Sequence, residues 1–228
     1  MMINPEEKQK YIDYLAQTRE GQVLTSDERK KALAYLKFKK VGKGQRLIEQ
    51  YEEGRYVFFV KEGFFKASVF DKDEETAYVT FYCPDRVFPV KEILSGNYHY
   101  GYTVIALTEA VVAYLPITLF VNLAQNNAAF MMAICKRVAN VLNDAEVFGQ
   151  TVNISSAVRR VTKKLEALRC NYAIADEKGS RLPFPLPIKE FAALVGTSRE
   201  TTGKIIRDLV QEKKLGYEKK HFIFPKAP

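Results

Sequence analysis

Arg199, Glu200, Lys204 and Arg207 lie close together in Gly196-Thr-Ser-Arg-Glu-Thr-Thr-Gly-Lys-Ile-Ile-Arg207, and at helical spacing they share one face with Gly203. Their chemistry is recognition of planar polar edges. An arginine or lysine can bond O6 and N7 of guanine, and a carboxylate can accept from N4 of cytosine, so Arg199, Glu200 and Lys204 are candidate base readers. The hydroxyls of Thr197 and Ser198 at the start of that helix, with Arg207 further along, suit phosphate oxygens. Local duties are open to some of these residues. Thr197 and Glu200 have capping-box spacing, and Glu200 and Lys204 are placed for an i, i+4 ion pair. Arg199 has no such duty, and base contact is its expected role.

Other chemistry is thinly supplied. His99 and His221 are isolated, and Cys83, Cys135 and Cys170 are widely spaced with no C-x-x-C pair, so neither a zinc site nor a disulfide framework is indicated. The cysteines read as buried small hydrophobes. No catalytic residue, metal or cofactor is assigned, and the expectation is not an enzyme. A cupin-type metal-dependent enzyme is the alternative, but it needs two or three histidines with a carboxylate inside a barrel, and His99 stands alone in that region. A winged-helix module that docks a protein partner is a further alternative. A haem on His99, an oxidisable thiol at Cys83 or Cys135, and an unknown small-molecule effector stay open.

The candidate readers need a scaffold, and the residues before them describe one. Pro187 suits the first position of a helix, where its missing N–H is not needed. Phe191, Ala192 and Val195 form an inward face on which small Ala192 admits a second helix. Gly196 can take the left-handed conformation that ends the first helix sharply. Thr197 or Ser198 then caps the second, whose inward face is Thr202, Ile205, Ile206 and Leu209. This is a helix-turn-helix. Gly203 on the outward face removes a side chain where the helix could run close to a DNA backbone. Leu215 to Phe224 reads as two short strands about a polar turn, a wing, with Lys219 and Lys220 at its tip beside His221 as phosphate contacts.

Upstream, Tyr11, Tyr14 and Leu15 mark an opening helix, and Ser26, followed by Asp27 and Glu28, reads as the N-cap of a second. From about Phe38 to Pro116 short segments rich in Val, Phe, Tyr and Thr alternate with turn signals, including Asp71-Lys-Asp-Glu74, which indicates an antiparallel barrel or sandwich. Tyr56 to Val60, turning at Gly63 into Phe64 to Phe70, is the expected strand pair. Beyond Pro116 the apolar series Phe130, Ile134, Val138, Val141, Ala145, Phe148 and Val152 describes one long helix with a narrow stripe. A stripe that narrow suits a homodimer interface, at Phe130, Ile134, Val138, Val141, Ala145 and Phe148, although packing on the chain's own barrel would leave the same pattern. Ser155 or Ser156 caps the next helix, with Val158, Val161, Leu165 and Leu168 inward and Arg159, Arg160, Lys163, Lys164 and Arg169 on its other side. Residues 1–116 are thus expected to form N-terminal helices and a β-roll sensor domain, 117–152 a dimerisation helix, and 153–228 a winged-helix DNA-binding domain. The fold class is α+β.

Charge follows the same division. The net charge of +8 lies beyond Val152, where 16 Lys and Arg meet 8 Asp and Glu, and the first 152 residues carry 19 of each sign. A basic segment joined to a neutral one points to a polyanion at one end only. No apolar run is long enough to span a bilayer and the N-terminus is charged where a signal peptide needs an apolar stretch, so a cytoplasmic location is expected.

Gly196-Thr-Ser-Arg-Glu-Thr-Thr-Gly-Lys204 resembles the helix-turn-helix of the Crp/Fnr regulators, particularly the catabolite-activator branch with Ser-Arg-Glu-Thr-x-Gly-Arg, and the order of β-roll, long helix and winged helix is similar along nearly the whole chain. The resemblance implies that Arg199, Glu200 and Lys204 read TGTGA-like half-sites of a palindrome, bound as a homodimer, with RNA polymerase a further partner if the protein activates. Lys204 stands in for the usual arginine, and Pro187 for a phosphate-binding threonine. The sensor departs further. The cyclic-nucleotide cassette of the family needs Gly-Glu-Leu and Arg-Ser, whereas this chain has Phe88-Pro-Val-Lys-Glu-Ile-Leu94 and Tyr98-His-Tyr-Gly-Tyr102, with Tyr100 near the expected arginine. A cyclic phosphate would lack its counter-charge, and no cAMP response is expected. The cysteine cluster of the iron–sulfur branch is absent as well.

Overall fold

The computed structural model describes residues 14–70, 76–177 and 179–226, without the side chains of residues 76, 77, 144, 147, 148, 151 and 152. The chain divides into two compact units, Met1–Leu142 and Asn143–Pro228. Tyr11, the turn at Asp71 to Glu74 and the side chains of Phe148 and Val152 lie outside the described residues.

The first unit opens with α1 (Tyr14–Gln17), α2 (Arg19–Gln22) and α3 (Ser26–Tyr35). Thr25, not Ser26, caps α3. Its hydroxyl accepts from the Glu28 N–H while the Glu28 carboxylate accepts from the Thr25 N–H at 2.9 Å, a reciprocal box that moves the start of the helix one residue earlier than the serine suggested.

A β-roll follows: β1 (Lys37–Val41), β2 (Arg46–Ile48), β3 (Tyr56–Glu62), β4 (Phe65–Phe70), β5 (Thr76–Tyr82), β6 (Val87–Phe88), the short helix α4 (Val90–Leu94), β7 (Thr103–Ala106) and β8 (Ala110–Pro116). They form two antiparallel four-stranded sheets, β1-β8-β3-β6 and β2-β7-β4-β5. The strand pair expected at β3 and β4 is therefore not a pair. Gly63, with φ +84°, turns the chain from one sheet into the other, and a Cβ there would lie 2.5 Å from the Glu109 carbonyl oxygen. Strand alternation splits the aromatic residues of β3 between two cores. Phe58 faces the roll interior with Phe65, Tyr82 and Phe88, and Phe59 faces the helices with Leu36, Phe38 and Phe120.

After β8 come α5 (Ile117–Asn126) and α6 (Ala128–Val152), broken at Asn127. The Asn127 side chain accepts from the Phe130 N–H at 2.9 Å and donates to the Glu28 carboxylate at 2.8 Å, which caps α6 and ties it to α3. Farther along, Arg137 binds the buried Glu20 carboxylate and Asp85 together, with its Nη2 2.8 Å from Glu20 and 2.9 Å from Asp85. Neutralised on both sides, the charges can be buried.

The stripe on α6 is used differently from its sequence reading. Phe130 and Ile134, 2% and 0% exposed, are inside the core of the first unit, where no partner chain can reach them, and Val138 packs partly against that same core. Val141 and Ala145 are exposed. The accessible apolar series on this part of the helix is instead Met132, Cys135, Ala139 and Leu142, at steps of three, four and three.

The second unit contains α7 (Ala157–Tyr172), β9 (Ile174–Asp176), β10 (Gly179–Arg181), α8 (Ile188–Leu194), α9 (Arg199–Gln211), β11 (Gly216–Glu218) and β12 (His221–Pro225). Ser156 caps α7, whose Val161, Leu165 and Leu168 are buried. Val158, expected inward, is instead 52% exposed. The wing is the edge of a four-stranded sheet, β11-β12-β10-β9, so the strands β9 and β10 extend what the sequence presented as a single pair.

Candidate nucleic-acid interface

The short helix α8 is fixed by its buried side. Phe191, Ala192, Leu194 and Val195 are all buried, and the ring of Phe191 packs on Phe222 of the wing with centroids 5.0 Å apart. Gly196 (φ +61°) ends the helix, and the Thr197 N–H returns to the Ala192 carbonyl at 3.1 Å. That left-handed residue makes the turn short enough for α9 to start at Arg199. Pro187 occupies the N-cap of α8 without a side-chain cap bond, one position before the first helical residue.

Ser198 caps α9. Its Oγ accepts from the Thr201 N–H at 3.1 Å and donates to the Thr201 hydroxyl at 3.0 Å. The capping-box alternative for Thr197 and Glu200 is thereby replaced, and a phosphate contact from Ser198 would have to displace its bond to Thr201. Buried Thr202, Ile205 and Ile206 attach the helix to the core. On its other side Arg199, Glu200, Lys204 and Arg207 are all exposed, and none has an ion-pair or hydrogen-bond partner for its side chain among the described residues. Glu200 and Lys204 do not form the helical pair that their spacing allows. Gly203 is not required by packing, since a Cβ there would meet Ile188 at an ordinary 4.0 Å.

The wing tip has its own constraint. Glu218 pairs with His221 across a two-residue turn, and both turn residues, Lys219 (φ +49°) and Lys220 (φ +67°), adopt left-handed conformations that lysine disfavours and Asn-Gly would suit. The side chains of both lysines are exposed. His221 Nδ1 lies 3.0 Å from the Lys219 carbonyl oxygen.

One residue at this site escaped the sequence reading. Arg160 of α7 stood among basic residues on a helix face, but its Nε donates to the Val195 carbonyl at 2.9 Å, Nη2 to the Gly196 carbonyl at 3.1 Å and Nη1 to the Ile154 carbonyl at 2.6 Å. A planar guanidinium gathers the Val195 and Gly196 carbonyls at the end of α8 together with the Ile154 carbonyl ahead of α7. Nothing in the spacing of Arg159, Arg160, Lys163, Lys164 and Arg169 singles it out.

The sensor segment at Phe88–Leu94 and Tyr98–Tyr102 is packed with rings. Phe88 stacks on Phe58 at 5.5 Å and meets Tyr82 at 4.8 Å, and Tyr82 meets Tyr102 at 6.0 Å. Burial pushes the Tyr82 hydroxyl up to about 12. Tyr100 is 5% exposed, and its hydroxyl donates to the Tyr56 carbonyl at 3.4 Å. Glu92, also buried, has no hydrogen bond to either carboxylate oxygen among the described residues. His99 is exposed, and no group of three metal-ligating side chains occurs among the described residues. Cys135 and Cys170 are exposed rather than buried as expected, and Cys83 is half-buried.

An antiparallel β-roll, a long helix and a winged helix-turn-helix follow one another along the chain, and known proteins with this order of parts give it its comparisons. Residues 38–127 match the family model of the cyclic nucleotide-binding domain. No curated protein sequence matches the chain. Among solved structures, FixK2 from Bradyrhizobium japonicum is similar at 18% identity and a TM-score of 0.70, over 83% of this chain and 92% of that one. CLP, a c-di-GMP responsive global regulator of Xanthomonas campestris, is similar at 15% identity and a TM-score of 0.72, over 89% of this chain and 100% of that one. A CRP-family transcriptional regulator from Thermus thermophilus has 19% identity and a TM-score of 0.67, over 82% of this chain and 92% of that one. No single helix among the described residues is long and apolar enough to cross a membrane.

Proposed function

We propose that the protein is a non-enzymatic, sequence-specific DNA-binding transcription regulator that acts as a homodimer on a palindromic site with TGTGA-like half-sites, without cAMP. The observation that carries this reading is the outward face of α9. Arg199, Glu200, Lys204 and Arg207 are exposed and uncommitted on a helix whose opposite side is held by Thr202, Ile205 and Ile206. Three local duties that would explain these residues without DNA, a capping box, an i, i+4 pair and a packing need for Gly203, are not in use. Arg199, Glu200 and Lys204 read bases, and Thr197, Arg207, Lys219 and Lys220 meet phosphate. The basic balance of the C-terminal segment supports the same partner.

Two copies meet along α6, through Met132, Cys135, Ala139 and Leu142 and onward past Val141 and Ala145. Steps of three and four along an exposed apolar strip are those of a two-stranded seam. The two-fold axis of such a pair matches a palindromic site, with half-sites about one helical turn apart. An activator would also contact RNA polymerase.

The test is a titration of the full chain onto a duplex with two TGTGA-like half-sites, against a scrambled duplex, at several salt concentrations. The wild type should prefer the palindrome by roughly 10³-fold or more. Arg199→Ala should lose most of that preference and keep salt-sensitive binding to both duplexes. Equal discrimination by wild type and variant would place the recognition surface elsewhere.

A further inference from the structure

We infer that Arg137 is a positioning residue for DNA recognition: its grip on Glu20 and Asp85 sets the direction in which α6 leaves the first unit, and through that direction the half-site spacing that a dimer accepts. The spacing rests on the function proposed above, and the direction of α6 does not.

The helix is held at two points. At its start the Asn127 side chain accepts from the Phe130 N–H at 2.9 Å and donates to the Glu28 carboxylate at 2.8 Å and to the Val23 carbonyl at 3.1 Å. About 15 Å further along the axis, at a rise of about 1.5 Å per residue, comes Arg137. Its Nη2 lies 2.8 Å from the Glu20 carboxylate and 2.9 Å from that of Asp85, while Nε also binds Glu20 and Nη1 the Asp85 carbonyl. Both partners are themselves fixed. Glu20 is fully buried, and the turn at Asp85 is pinned to β3, where the Asp85 N–H donates to the Val60 carbonyl at 2.9 Å and the Val60 N–H to the Arg86 carbonyl at 2.8 Å. Two anchors on one rod determine its direction, whereas one lets it swing.

Arg137 stands at the point of exit. Val138 packs partly against the first core, but from Ala139 to Glu146 every side chain that is described is exposed. The helix nevertheless continues to Val152, across the boundary between the units at Leu142. Leverage is therefore large. Val152 lies about 22 Å beyond Arg137, so a tilt of roughly 10° would move it by about 4 Å, more than the base-pair step of about 3.4 Å.

The chemistry of the anchor suits this role. Phe130, Ile134 and Val138 attach α6 through apolar contact, which is non-directional. A planar guanidinium that bonds one carboxylate through two nitrogens and reaches a second admits one orientation. A buried ion pair gains little stability over apolar residues of similar size, and fixing geometry is its better-attested use.

The experiment measures the direction first. Spin labels at Lys31→Cys and Glu146→Cys, both exposed positions, are placed in a full chain with Cys83, Cys135 and Cys170 replaced by alanine, and labelled chains are diluted with unlabelled ones. Pulsed electron resonance should give one narrow distance in this background. Two variants test the anchor: Glu20→Leu with Arg137→Met, which removes the pair without leaving a lone buried charge, and Arg137→Lys, which keeps the charge and loses the fork. Each should widen or shift the distance, and Lys136→Gln, at an exposed neighbour, should not. The second measurement is affinity for duplexes whose TGTGA-like half-sites stand at the favoured spacing or a base pair nearer or farther. The wild type should prefer one spacing by at least about tenfold, and both variants should lose that preference while keeping the sequence preference that Arg199 confers. A purely structural role would weaken all duplexes alike. Distances that match wild type in both variants, or an unchanged spacing preference, overturn the inference. Absence of any sequence preference in the wild type would instead overturn the reading of α9, and the label distances would still decide whether Arg137 directs α6.

Discussion

Arg160 donates its Nε–H to the Val195 carbonyl at 2.9 Å, a bond from α7 to the last turn of α8 that fixes where the turn of the helix-turn-helix begins. A second bond, from Nη2 to Gly196 at 3.1 Å, holds the left-handed residue itself. A cation at a helix C-terminus also opposes the negative end of the helix dipole.

Arg160→Ala should therefore destabilise the second unit by about 2 kcal/mol, since charged hydrogen bonds to the partly buried Val195 and Ile154 carbonyls and to that of Gly196 are lost. Its affinity for palindromic and scrambled DNA should fall together, because the reading helix is displaced but its side chains are intact. Arg199→Ala is the contrasting case, with specificity lost and stability kept. Denaturant unfolding and DNA titration on both variants separate positioning from reading. A selective loss of specificity in Arg160→Ala would show that Arg160 reads bases itself.

Gly203 lies mid-helix in α9 with room for a methyl group. Gly203→Ala should stabilise the helix by about 1 kcal/mol, the usual helical difference between the two residues. If the backbone there approaches DNA closely, the same variant should bind the palindrome at least about tenfold more weakly. A variant that is more stable and binds equally well would deny the close approach.

Thr202 is fully buried, and its hydroxyl has no hydrogen-bond partner among the described residues. Valine has nearly the same shape without the unpaired group. Thr202→Val should raise stability by about 1 kcal/mol and leave DNA affinity unchanged. A loss of stability in chemical denaturation would mean that the hydroxyl is satisfied in solution.

Cys135 is exposed in the apolar series of α6. In a parallel two-stranded seam, equivalent residues of two copies lie within disulfide reach, about 4.4–6.8 Å between Cα atoms. Mild oxidation of the wild type should give a covalent dimer on a non-reducing gel, and Cys135→Ser should remain monomeric on that gel. Cross-linking through Cys170 alone would move the interface off this face.

Much of the winged helix was legible in the chain because its signals are local. Gly196, the inward series Thr202, Ile205 and Ile206, and the outward Arg199, Glu200 and Lys204 each follow from backbone conformation or helical period, and Pro187 marks the start of α8 to within one residue. The capping residue of α9 needed geometry, because Thr197 and Ser198 are equally good caps and only the Thr201 N–H chooses between them. Elsewhere the local signal was right and its use was not. Gly63 marks a true turn, but whether β3 and β4 pair depends on β8 and β7, which arrive far later in the chain. Phe130 and Ile134 lie on an apolar stripe, but the stripe faces Phe120 and the rest of the first core, so the surface left for a second copy is the neighbouring series from Met132 to Leu142.

The sequence by itself determined the order of parts, the helix-turn-helix with its three candidate readers and the position of the basic charge, since periodicity, caps and composition act over a few residues. Tertiary structure alone decided which apolar residues of α6 are spent inside the chain and which stay outside. It alone turned Arg160 from one of several cations into the clamp on Val195, and it alone brought Tyr56, Phe58, Tyr100 and Tyr114 to one cavity. Those relationships join residues distant along the chain, and burial, register and carbonyl geometry arise only when the elements pack.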